Sequence, residues 1–126
     1  MSSSIKNMLV IIAAFLIGAI VVYLGEACIH KYHPFFVNGV NPSDNLPAGV
    51  LALMLLFHAA GAFVSGIILK KFLVSADTFI ITLVGLGWTL VGVVSMLKVS
   101  QPIWYAISDT CIYLPMTLLG SKLFKK

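Results

Sequence analysis

The sequence contains no arginine and only four acidic residues. Charged side chains make up 10% of its 126 positions, against roughly a quarter in a soluble globular domain. So few charges cannot cover a water-facing surface, and lipid is the solvent this composition fits. The lack of arginine also argues against nucleic acid, whose binders gather arginine and lysine on one face. Two cysteines, Cys28 and Cys111, are too few for a disulfide framework and lack the spacing of a metal motif. Nucleotide loops, nucleophile elbows, CxxC pairs and haem motifs are missing too, so no cofactor is expected.

What remains is largely apolar: 60% of the residues are hydrophobic and the mean hydropathy is +1.07. A helix crossing the hydrocarbon core needs about 20 mostly apolar residues. Runs at about 7–33, 47–70, 78–97 and 103–121 meet that need. Unpaired backbone groups are not tolerated in lipid, so each run is read as a helix. The runs do not alternate apolar with polar residues, as strands of a membrane barrel would. Lys6 and Gly25-Glu26-Ala27 loosely imitate a signal peptide with its cleavage site. The apolar stretch between them exceeds a typical signal core and favours a retained helix.

Short connections at 70–78 and 98–102 force antiparallel neighbours. The expected fold is therefore all-α: one integral membrane four-helix bundle over residues 1–126, antiparallel and up-down. No internal repeat marks an inverted-repeat transporter. Lys6, Lys70, Lys71, Lys122, Lys125 and Lys126 fall on one side of this arrangement, and Lys31 and Lys98 on the other. The lysine-rich side should be cytoplasmic, which places both termini inside.

An outer loop at about 34–46 carries the turn residues Asn38-Gly39, Asn41-Pro42 and Ser43-Asp44, with Pro34 stopping the first helix. Asp44 or Asn45 is expected to cap the second helix, and Ser75 or Asp77 the third. Pro115 should kink the fourth.

Small residues at helical spacing point to close packing. Gly61 and Ser65 are four apart, as are Ala62 and Gly66, while Gly85 and Gly92 lie one heptad apart. Such faces let membrane helices approach, either within one bundle, the favoured reading, or between copies. Trp88 is expected to be a packing residue.

Ionisable groups inside a membrane are costly and therefore suspect. His58 lies near the middle of the second helix and Asp109 about two turns into the fourth. The bland expectations are a core His58 bonded to a carbonyl or hydroxyl, and an Asp109 paired with Lys98 or a hydroxyl. Glu26 ends the first apolar run. If that helix continues to Pro34, Glu26 and His30 share a face, with His33 one turn on. These three are expected to form a polar cluster at the outer face, fixing the loop or, less simply, binding a transition metal. Cys28 should lie at the outer interface and Cys111 about 10 Å deeper, which excludes a bond between them.

The chain resembles an uncharacterised family of small bacterial four-helix integral membrane proteins. The residues that carry the resemblance are Glu26, His30, Tyr32 and Pro34, then Asp44 with Leu46-Pro47, then Gly61-Ala62-Phe63 and Gly66. Gln101-Pro102, Trp104, Tyr113-Leu114-Pro115 and Gly120 complete the set. Members often carry tryptophan where this chain has His58. The resemblance implies the four-helix fold and the bacterial inner membrane, and implies no activity.

Two function classes follow. The first is a non-enzymatic membrane protein, self-assembling as a homo-oligomer or serving as an accessory subunit of a larger membrane complex. The second is a minimal oligomeric transporter or channel in which Glu26, His58 and Asp109 line a polar path. An enzyme ranks third, since it would need a metal at the histidine–carboxylate patch.

Overall fold

The computed structural model describes residues 2–32, 48–75, 77–98 and 102–123. They form four helices packed as a bundle: α1 (Ser3–Tyr32), α2 (Ala48–Phe72), α3 (Thr78–Lys98) and α4 (Ile103–Lys122). The outer loop, with His33 and the expected caps Asp44 and Asn45, lies outside the described residues.

Helix α1 begins four residues before the expected start near Asn7. The cause is Ser2, whose hydroxyl accepts from the Ile5 amide at 3.3 Å while its carbonyl takes the Lys6 amide. Asp77 caps α3 in the same way, accepting from the Phe79 amide at 2.9 Å. Pro102 stands at the cap position of α4 and makes no side-chain cap.

Chain direction alternates, and α3 lies against α4 as the short 98–102 connection implies, but the 70–78 connection does not make α2 and α3 close neighbours. Helix α2 packs most extensively on α4, its parallel partner, then on α1, while α3 packs mainly on α4 and only lightly on α2. The reason is backbone approach. A Cβ on Gly66 would overlap the Thr117 carbonyl, and one on Gly120 would overlap that of Phe63. Glycine at both positions lets α2 and α4 meet backbone to backbone.

Gly61 faces the Gly18 carbonyl, Gly85 the Leu114 side chain and Gly92 the Tyr113 ring. Ser65 ties three helices: its hydroxyl donates to the Ala14 carbonyl at 2.7 Å and accepts from Trp88 Nε1 at 3.1 Å. The small residues singled out in the sequence are thus spent on contacts inside one chain.

Large apolar side chains point outward instead. Leu16 and Ile20 on α1, Leu56 on α2, Leu90 and Leu97 on α3 and Ile107 on α4 are all exposed. By length and composition, α1, α2 and α3 can each cross a membrane. The buried apolar cluster of Ala14, Ala62, Leu69, Leu73, Ile81, Val84, Trp88 and Tyr113 fills the bundle towards the end where Asn7 meets Val74.

Candidate functional site

Three helices bring one ionisable side chain each to a common point. Glu26 lies one and a half turns before the end of α1, His58 ten residues into α2, and Asp109 six residues into α4. Antiparallel α1 and parallel α4 place all three at the same level beside α2.

His58 is the bridge. Its Nε2 lies 2.6 Å from Glu26 Oε1, and its Nδ1 is hydrogen-bonded to Asp109 Oδ1. The His58 and Asp109 side chains are 10% and 4% exposed, whereas Glu26 keeps 37%. The trio is therefore closed towards the bundle and open on the Glu26 side. Tyr113, one turn beyond Asp109, donates its hydroxyl to the same carboxylate at 3.3 Å. Its ring stacks on His58 and on Trp88, with centroids 6.1 and 5.8 Å apart, so an aromatic column leads inward from the imidazole.

The bland expectation for His58 is corrected here, while that for Asp109 holds in part, since the Tyr113 hydroxyl donates to it. His58 meets two carboxylates rather than a carbonyl or hydroxyl, and Asp109 pairs with His58 and Tyr113. An acid on α1 and an acid on α4 outbid neutral partners because bonds to charged groups are stronger in a low-dielectric interior. Glu26 meets a histidine 32 residues away in the chain, a partner the expected cluster with His30 and His33 did not include. His30 sits exposed one turn further on, and His33 lies outside the described residues. Among the described residues, no group of three His, Cys, Asp or Glu side chains is arranged to hold a metal ion. Both ring nitrogens of His58 are already engaged, so it offers no lone pair to a metal. Cys28 and Cys111 are both free and exposed.

Sequence reading missed the organisation of α4. Tyr105, Asp109, Tyr113, Thr117 and Ser121 are spaced four apart and all buried, a polar stripe turned into the bundle. The opposite face, with Ile103, Ile107, Cys111, Pro115 and Leu119, is exposed. The four-residue spacing was the available signal. Along the stripe, Thr117 and Ser121 donate to the Tyr113 and Leu118 carbonyls of their own helix. Tyr105, 1% exposed, has a buried hydroxyl without a hydrogen-bond partner among the described residues.

The chemistry open to the trio follows from proton counting. Each of its two hydrogen bonds needs one proton, so at least two protons lie between three basic sites. Removing one leaves a bare ring nitrogen facing a carboxylate oxygen, and one of the two ties between helices is lost.

No family model matches the chain, and neither a curated protein nor a solved structure does. The resemblance to a bacterial family gains no support from these comparisons, and the functional reading rests on geometry.

Proposed function

We propose that this chain is a non-enzymatic, four-span membrane protein in which the Glu26–His58–Asp109 trio is a proton-dependent latch between α1, α2 and α4. The observation that carries the reading is the engagement of both His58 ring nitrogens by carboxylates from two other helices. A histidine held in this way closes the bundle when the shared protons are present and loosens it when one leaves.

Span number and orientation are part of the proposal. Helix α4 is less apolar than the other three, yet its polar residues face inward and its apolar ones outward. A soluble helix does the reverse. With α4 counted, both termini lie on the lysine-rich side, which the charge rule makes cytoplasmic. The latch then sits towards the outer face, and the 37% exposure of Glu26 gives it a route for proton exchange.

A self-assembling bundle is less well supported, since the small-residue faces that motivated it are used within the chain. A proton path through a single chain also finds little support. Beyond Tyr113 the Thr117 and Ser121 hydroxyls are committed to backbone carbonyls. The flanking core is apolar.

The test uses Trp88, which stacks on Tyr113 and so senses the Asp109 end of the trio. The chain has two tryptophans, and Trp104→Phe leaves Trp88 alone. In lipid nanodiscs its emission should follow a pH transition that is lost in His58→Gln. An emission that ignores pH, or a transition that persists in His58→Gln, overturns the latch.

A further inference from the structure

A second feature lies at the opposite end of the bundle. The first turns of α1 and the end of α2 border a groove of about 530 Å³. Lys6 stands on one side and Lys71 on the other, and the wall between is apolar: Val10 and Ala13 from α1, with Leu73 and Val74 after α2. Lys6, Val10 and Ala13 share one face of α1 at helical spacing. The groove is held by a specific contact, since the Asn7 side chain accepts from the Val74 amide at 3.0 Å. Both lysines are exposed, and Lys71 lies over the Phe72 ring at 5.5 Å. Lys70 and Lys122 lie at the same end, and Asp77 is the nearby acid among the described residues. Glu26 and Asp109 are at the far end of the bundle.

We infer that this groove binds one anionic phospholipid, with the phosphate between Lys6 and Lys71 and the first acyl carbons along Val10 and Ala13. The inference uses the membrane-spanning part of the proposed function and is independent of the latch. Two cations on different helices define a point for one negative headgroup, and the apolar wall below them suits an acyl chain. Basic pockets between helices on the cytoplasmic side are where anionic lipids are held. A volume of this size exceeds what a bare phosphate fills and falls in the range of ligand sites. Dispersed lysines that only set orientation would need neither the groove nor the fixed loop.

The experiment is native mass spectrometry of the full chain in mild detergent, with phosphatidylglycerol, phosphatidylcholine or inorganic phosphate added. One phosphatidylglycerol should be retained and phosphatidylcholine should not. Each lysine near an anionic surface contributes about fivefold in affinity, so Lys6→Gln with Lys71→Gln should weaken the affinity, read from a lipid titration, roughly thirtyfold. Lys122→Gln, at the same end but outside the groove, should leave it unchanged. Equal retention of both lipids overturns the site, as does an equal loss with Lys122→Gln. Displacement of the lipid by inorganic phosphate would reassign it as a simple anion site and overturn the lipid. A chain extracted from cells without detergent would instead defeat the membrane reading, an outcome distinct from all of these.

Discussion

Glu26 Oε1 and His58 Nε2 lie 2.6 Å apart although 32 residues separate them in the chain. The contact joins α1 to α2, and Asp109 on the other ring nitrogen joins α2 to α4. Breaking it from different sides should have different effects. Removing one partner of a buried pair costs about 3–5 kcal/mol, because a charge is left unpaired. Asp109 is nearly enclosed and Glu26 is more than one-third exposed. Asp109→Ala should therefore lower the unfolding midpoint more than Glu26→Ala, with the Glu26 loss screened to about 1 kcal/mol or less. Thermal unfolding in detergent measures both; equal losses would place Asp109 in a wetter site than this.

Charge, not shape, should dominate the loss on removing the histidine. His58→Leu leaves two carboxylates facing each other across an apolar side chain. Adding Glu26→Gln and Asp109→Asn removes both charges, so the triple variant should be more stable than His58→Leu alone. Additive losses across the series would show that the carboxylates do not interact through this site.

Glycine substitutions should separate the packed positions from the open one. A Cβ on Gly66 would overlap the Thr117 carbonyl, whereas one on Gly49 would meet nothing within 4 Å among the described residues. Gly66→Ala should force α2 and α4 apart and lose several kcal/mol, in the range of severe overpacking. Gly49→Ala should be neutral or gain up to about 1 kcal/mol from helix propensity. Comparable unfolding midpoints for the two variants would contradict the α2–α4 contact.

Tyr105 offers a test of the opposite sign. Its hydroxyl is buried and has no partner among the described residues, and an unpaired buried hydroxyl costs about 1–3 kcal/mol. Tyr105→Phe should hold or raise the unfolding midpoint. A clear drop would mean that the hydroxyl is hydrogen-bonded in the protein.

The helices were legible because their signal is local: long apolar runs, broken by short polar connections. The start of α1 was missed because Ser2 and its hydroxyl cap precede the apolar run that marked the helix. His58, Asp109 and Glu26 could be picked out as ionisable groups in apolar surroundings and set along one polar path, but not recognised as direct hydrogen-bond partners. Their convergence depends on α2 packing on α4, which two glycines decide and no connection length encodes. The inward stripe of α4 was readable at four-residue spacing, from Tyr105 to Ser121. The outer loop, with His33, bears on the cluster expected there and lies outside the described residues.

Ring-nitrogen NMR of ¹⁵N-histidine-labelled protein in nanodiscs tests the central contact most directly. His58→Gln assigns the His58 signals against those of His30 and His33. Both His58 ring nitrogens should appear hydrogen-bonded and protected from solvent exchange. Glu26→Gln should shift mainly the Nε2 resonance, and Asp109→Asn mainly the Nδ1 resonance. A His58 ring that exchanges freely with solvent and ignores both substitutions would contradict the latch.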